Sequence, residues 1–174
     1  SSITVNGGSV STLLVKLPGQ TFTDGNGISG ATNFTGLRTP NATAGTSFTA
    51  TLYAVDAYNN LVDAGTGNYT GSKTISWTNS NAGSSPGGNA PSFPATSVTF
   101  SNGVSTTTLT TTYYNATTSR DLRADDTVNS ITGTASTGFT VQSQVVNNYG
   151  VTANSPQTAG VAFNVTVTAR DTYN

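Results

Sequence analysis

An all-β fold, an antiparallel sandwich of about seven to nine short strands, is the class this sequence predicts. Three observations carry the expectation. The chain holds 35 Thr, with seven Phe, seven Tyr and one Trp spread along it, and β-branched and aromatic side chains pack well on a pleated, half-buried surface. Its 19 Gly and 18 Asn punctuate the sequence at short intervals, as frequent turns require. Where apolar and polar residues alternate they do so with period two, and no segment carries the helical period.

The elements follow in chain order. Residues 1–8 read as a leading strand or the end of a preceding unit. Leu13, Leu14, Val15 and Leu17 open the main body, and Pro18-Gly19 ends that strand. Residues 21–45 form a long polar connection with a short strand near Phe34. In 47–55, Phe48, Ala50, Leu52 and Ala54 alternate with Thr49, Thr51, Tyr53 and Val55, the mark of a strand with one buried face. In 73–78, Ile75 and Trp77 share a face, and Lys73 has the same parity. A Gly/Ser/Pro/Asn loop spans 79–95. Strand 97–101 runs into Asn102-Gly103, a pair suited to a two-residue hairpin because both residues tolerate positive φ. Residues 104–113 return as its partner, and strands at 120–124 and 131–141 complete a unit spanning about 9–142.

An internal repeat is the most informative feature. Residues 43–59 read TAGTSFTATLYAVDAYN and residues 158–174 read TAGVAFNVTVTARDTYN, in one gapless register at an offset of 115. Low complexity explains Thr and Ala matches; it does not readily explain Phe48/Phe163, Asp56/Asp171 and Tyr58/Tyr173 together. Asp and Asn after the strand supply turn chemistry, since Asp accepts nearby backbone N–H groups and Asn tolerates the left-handed backbone. A weaker echo relates Ile3-Thr4-Val5 to Phe139-Thr140-Val141. Residues 143–174 therefore read as the first strands of a second, incomplete unit, with two strands expected within 155–174. Two strands cannot close a core, so the chain reads as part of a longer tandem array.

Composition excludes much chemistry. The chain has no Glu, His, Cys or Met, and all seven acids are Asp. A Ser-His-Asp triad, a thiol nucleophile and the ordinary zinc, haem and iron–sulfur sites are ruled out, and the chain reads as a non-enzyme. A net charge of −1 provides no pull toward nucleic acid or anionic lipid. No segment approaches the roughly 18 apolar residues of a membrane span.

The run F-x-A-x-L-x-A-x-D-x-Y-N-N at 48–60 resembles the second strand of bacterial immunoglobulin-like repeats, the invasin and intimin class and its filamin-like relatives. VTFSNGVSTTTLT at 98–110 is similar to their fourth and fifth strands, and GTASTGFTV at 133–141 to their closing strand. The first thirty-odd residues, including LPGQTF at 17–22, depart from the pattern and look like an insertion. The resemblance implies an immunoglobulin-like sandwich in an extracellular, cell-surface array: a stalk, surface layer, fibre or adhesin whose partners are neighbouring copies of itself. The alternative is a carbohydrate-binding or spacer module of a secreted enzyme.

Candidate sites are few. Asp24-Gly25-Asn26-Gly27 starts like a calcium loop but lacks the later ligands and reads as a plain turn. Asp121, Asp125 and Asp126, with Asp56 or Asp63, are the candidates for a Ca²⁺ at a junction. Asn33, Asn41, Asn68, Asn115 and Asn164 head glycosylation sequons, against roughly six expected by chance at this Ser/Thr content. Trp77 with Tyr69, Tyr113 and Tyr114 is a candidate sugar platform, although a Trp here is expected in the core, near Phe48, Leu52 and Leu109. Lys16 and Lys73 are the only lysines and the candidates for a Lys–Asn cross-link; protection of a strand edge is the commoner use of such a lysine.

Overall fold

The computed structural model describes residues 6–34, 41–78 and 83–174. The leading strand expected within 1–5, part of the 21–45 connection and residues 79–82 of the long loop lie outside the described residues.

The protein is all-β, with mostly antiparallel pairing. Strand β1 (Thr12–Lys16) pairs with β5 (Phe48–Val55), Thr12 opposite Val55 and Lys16 opposite Thr51. Between them lie a hairpin of β2 (Thr21–Thr23) and β3 (Gly27–Ser29) and the short β4 (Ala42–Thr43). The long sheet continues from β5 through β8 (Val104–Ser105), β7 (Ser97–Ser101) and β6 (Gly71–Thr78) to β11 (Arg123–Asp126), while β9 (Leu109–Thr111) also pairs with β5. A second sheet orders β10 (Thr117–Arg120), β12 (Phe139–Gln142) and β4, the last pair being parallel. The expected strand at 120–124 is thus two halves of one run: β10 pairs with β12, and β11 with β6. Only Asp121 and Leu122 separate the halves, so this run joins the two sheets.

Asn102 and Gly103 adopt φ of 49° and 77°, the double positive turn that lets the strands keep their right-handed twist. The expected strand 104–113 is interrupted after Ser105. Thr106 N–H donates to the Thr99 carbonyl and Thr99 N–H to Thr107 Oγ1, so the chain crosses from β7 toward β5 before pairing resumes at Leu109. The expected strand 131–141 is ordered as a strand only at β12, with Ile131 and Thr134 making isolated bridges to Asp126 and Leu14.

Leu13, Val15 and Leu17 of the first strand face Phe48, Ala50, Leu52 and Ala54 in a core completed by Ile75, Val98, Phe100, Leu109, Leu122 and Val141. At one end Phe34, Phe48, Phe139 and Tyr113 form a ring cluster, with centroids 5.0 Å apart for Phe34–Phe48 and 5.6 Å for Phe48–Phe139. Phe34 is buried but belongs to no strand. Trp77 is not between the sheets as expected. It sits half-buried at the end of β6, where the 93–96 loop covers it from one side and its indole N–H donates to the Ala95 carbonyl. The phenylalanine–tyrosine cluster takes the interior place expected of it.

The C-terminal region contains β13 (Asn148–Ala153) and β14 (Val165–Arg170), paired from Asn148/Arg170 to Ala153/Val165. The expectation of two strands within 155–174 is corrected: only β14 falls there, and its partner lies upstream. Residues 157–158, counterparts of Ala42-Thr43 in β4, form no strand. A strand that short needs a ladder partner; β4 has β12, and among the described residues no strand pairs with 157–158.

The two hairpins share a register. Arg170 is the repeat counterpart of Val55; Asn148 pairs with it as Thr12 pairs with Val55, and Val151 pairs with Val167 as Val15 pairs with Leu52. The offset is 136 on the leading strand and 115 on the following one, so the first connection is longer by 21 residues. The β2–β3 hairpin lies in that extra length. It packs on the outer face of the sheet, with Phe22 stacked on Tyr53 at 4.2 Å. The burial differs sharply: Leu52 is 0% exposed, whereas Val167 is 61% exposed and Phe163 53%.

Candidate functional site

The region with the most built geometry is the junction between the sandwich and the C-terminal hairpin. Its parts come from strand ends. Asp56 follows β5 and uses both carboxylate oxygens. Oδ1 accepts the Tyr58 and Asn60 N–H groups at 2.8 and 2.9 Å, and Oδ2 accepts Gly8 N–H and Asn60 Nδ2 at 3.0 Å each. The Gly8 N–H and the Asn60 amide hold this carboxyl well below the usual aspartate range. Asp171 repeats the arrangement after β14: Oδ1 accepts Tyr173 N–H at 2.8 Å and Oδ2 accepts Gln144 N–H at 3.0 Å. Gly8 and Gln144 are again 136 residues apart. Asn59 and Asn174 close the two turns at φ of 64° and 76°, the left-handed conformation that asparagine tolerates. Each aspartate therefore ties the segment entering its strand pair to the turn that leaves the pair's second strand.

Tyr173 then crosses to the sandwich. Its ring meets Tyr114 edge-on at 4.9 Å, and its carbonyl accepts Gly87 N–H at 3.0 Å. Gly45 forms the floor under the ring: a Cβ there would lie 2.1 Å from the Tyr173 hydroxyl oxygen and 2.2 Å from Cε2. Gln144 Nε2 adds a bond to the Ala44 carbonyl at 2.9 Å. Pro86, Asn115 and Ser143 border the small cleft beside this contact. The arrangement is mechanical rather than chemical: an aromatic plug, a glycine-floored socket and a carboxylate clasp fix the C-terminal hairpin on the sandwich.

The calcium candidates are not assembled. Asp125 and Asp126 are adjacent on β11, so their side chains leave opposite faces. Asp125 pairs with Arg123 at 2.9 Å and accepts Gly133 N–H at 2.7 Å. Burial raises its pKa, but the Arg123 guanidinium and the Gly133 amide outweigh burial and lower it. Asp126 is buried and accepts the Tyr69 hydroxyl, Asn129 Nδ2 and the Val128 and Asn129 N–H groups. Burial raises this group too, and those donors win. Asp63 is exposed elsewhere, and among the described residues no three acidic side chains converge. Asp24 Oδ1 accepts Leu61 N–H at 2.6 Å, so the Asp24–Gly27 turn is a hairpin tip that buttresses the turn after β5.

Of the sequon asparagines, Asn33 and Asn164 are exposed and Asn41 is half-buried. Asn68 Nδ2 donates to Asn102 Oδ1 and Asn115 Nδ2 to the Ser84 carbonyl. Lys73 Nζ stands 4.6 Å from the Tyr69 ring centroid, and Lys16 is half-buried at the end of β1. The proposed sugar platform is dispersed: Tyr69 and Tyr113 are in the core, Tyr114 meets Tyr173, and Trp77 lines a separate open groove with Phe93 and Pro94.

Sequence reasoning passed over two things. Tyr173 as a plug and Gly45 as its floor were visible only as repeat matches. Arg120 is 2% exposed, and its Nε and Nη1 have no partner among the described residues. Burial lowers its pKa, against a smaller opposing effect of Tyr113. A cleft lies beside it, but both nitrogens are closed off from solvent, so they are not presented to a ligand. Comparison with protein-family models, curated proteins and solved structures returned no match.

Proposed function

We propose that this chain is a structural, immunoglobulin-like segment of an extracellular tandem array, working as a stalk, surface layer or fibre, with adhesion as a further role and without enzymatic activity. The observation that carries the reading is the second hairpin. It repeats the register of β1 and β5 and the aspartate clasp, yet leaves Tyr149, Val151, Phe163, Val165 and Val167 exposed. In the sandwich the counterparts of these residues are core. An apolar face of this kind is an aggregation hazard unless covered. In this reading further strands of the same kind cover it, from the chain's continuation or a neighbouring copy. The order β1-β5-β8-β7, the β6–β11 pair, the β10–β12 pair and the parallel closure of β12 on β4 support an immunoglobulin-like topology. Low charge favours side-by-side packing, because little self-repulsion opposes it.

The test is native mass and electron microscopy of the protein as it occurs in its source. The expected result is an ordered fibre or lattice in which residues 163–170 exchange hydrogen slowly. A dispersed monomer with those amides exchanging rapidly defeats the assembly. A second reading, carbohydrate binding, has one observation in its favour: Trp77 borders an open groove with Phe93. Trp77 is the only tryptophan, so its fluorescence reports directly on added oligosaccharides. Saturable quenching would favour that reading.

A further inference from the structure

The repeat relates each half of the junction to a second copy of itself within the same chain. Tyr173, two residues after Asp171, plugs the socket floored by Gly45. Its counterpart Tyr58, two residues after Asp56, is 79% exposed. Gly160, the counterpart of Gly45, has φ of 79° against 71° for Gly45, and no described atom lies within 4 Å of where its Cβ would stand. The chain thus carries a filled plug and an unfilled plug, a filled socket and an unfilled socket.

Tyr58 is held ready for such a contact. Asp56 accepts the Tyr58 and Asn60 N–H groups, and the Asp24–Gly27 tip braces the turn from outside, with Leu61 N–H on Asp24 and Gly25 N–H on the Asn59 carbonyl at 3.0 Å. An exposed tyrosine on a fixed turn loses little conformational freedom when it docks. The entry path matches as well: the Gly8 N–H meets Asp56 as the Gln144 N–H meets Asp171. The sequence echo of Thr4-Val5 with Thr140-Val141 carries the same offset of 136. One element is missing, because Gly8 has no side chain to reproduce the bond from Gln144 to the Ala44 carbonyl.

We propose that the turn bearing Tyr58 is a docking surface for a second sandwich unit of this kind. Tyr58 enters that unit's glycine-floored socket as Tyr173 enters the Gly45 socket, and Gly160 floors a socket for the tyrosine of the unit that follows. The inference rests on the tandem reading and makes it directional: each unit plugs into the one before it, so the angle between units is fixed rather than free.

The test uses the full chain with an extra copy of the sandwich ahead of it, joining Gln142 of a 1–142 copy carrying Tyr58→Phe to Gly7 of a 7–174 copy, so that the one Tyr58 of the fusion is the trailing copy's. This keeps the natural spacing, because Gly8 and Gln144 hold equivalent places. Tetranitromethane nitrates tyrosine ring carbons beside the hydroxyl, and Gly45 covers one of these on Tyr173. Mass spectrometry then gives the nitration rate at each tyrosine. In the single chain Tyr58 should react fast and Tyr173 slowly. In the fusion Tyr58 should slow by about tenfold, the protection given by a contact that opens only by local unfolding. Gly45→Ala in the leading copy should restore the fast rate at Tyr58 and leave Tyr173 protected. The proposal is overturned if Tyr58 reacts equally fast in both proteins while Tyr173 stays protected. It is also overturned if Tyr173 reacts as fast as Tyr58 in the single chain, because the socket then does not hold in solution. Either result leaves the array intact as units on loose linkers, which microscopy of the native protein decides separately.

Discussion

Leu52→Ala and Val167→Ala remove side-chain volume at one repeat position in two settings. Leu52 stands opposite Val15 in the buried hairpin, and Val167 opposite Val151 in the exposed one. Leu52 is 0% exposed, so its truncation loses the transfer energy of the side chain and leaves a cavity, together about 2–5 kcal/mol. For a chain of this length each kcal/mol shifts Tm by about 2–4 °C, so a loss of about 3 kcal/mol lowers Tm by roughly 6–12 °C. Val167 is 61% exposed, and its truncation gives up little burial and some strand preference, below about 1 kcal/mol. Equilibrium urea unfolding of both variants at low protein concentration measures the difference, provided the m-value is unchanged. The reasoning fails if Leu52→Ala costs less than about 1 kcal/mol, well under the range for a buried leucine. It fails equally if Val167→Ala costs as much as Leu52→Ala, because the second hairpin would then have a core of its own.

Three further outcomes are expected. Gly133→Ala places a Cβ 1.9 Å from the Ala124 carbonyl oxygen, a backbone clash that cannot relax by side-chain rotation; it should cost upwards of about 2 kcal/mol, and an unchanged Tm contradicts the close approach. Tyr69→Phe removes one donor from buried Asp126 and should cost about 1–3 kcal/mol; a neutral effect in urea unfolding contradicts the pairing. The Asp56 carboxyl, lowered chiefly by the Gly8 N–H, should remain ionised at about pH 3, below the ordinary aspartate value. Because the folded pKa is the lower one, this stabilisation is complete above about pH 4 and is lost as pH falls toward the folded value; a carboxyl ¹³C titration of Asp56 with an ordinary midpoint refutes the clasp.

Sequence made the strands legible where periodicity and turn chemistry agreed. Phe48 to Val55 alternates cleanly, and Asn102-Gly103 can hardly be anything but a tight turn. The repeat was legible because Phe, Asp and Tyr are rare enough to match by more than chance. Three-residue strands such as Thr21–Thr23 are too short to show a period, although Asp24-Gly25 between them does signal a turn. The break after Ser105 lies in a run of threonines, Thr106 to Thr108, where every residue suits a strand and only the change of pairing partner interrupts it. The place of Trp77 depends on the far-off 93–96 loop covering it from one side, which local pattern does not encode. The junction was half legible: the matched residues stood out, but only the fold reveals that one tyrosine is seated and its twin is open.

The parallel pairings in the sandwich bear on how an array would carry tension. β4 runs parallel to β12, and Leu14 of β1 bridges Thr134 in parallel, with Thr134 N–H on the Leu13 carbonyl at 2.9 Å. If units are pulled end to end, force enters near Gly8 and leaves near Gln144. In a parallel pair those points are at opposite ends, so the strands are sheared along their axes and their hydrogen bonds are loaded together. Antiparallel strands pulled at adjacent ends would instead unzip one bond at a time. The sandwich is therefore predicted to resist stretching far better than its modest, disulfide-free core suggests. Single-molecule pulling between residues 8 and 144 should give a markedly higher rupture force than pulling between residues 148 and 170, the open end of the β13–β14 hairpin, and equal forces would refute the shear geometry.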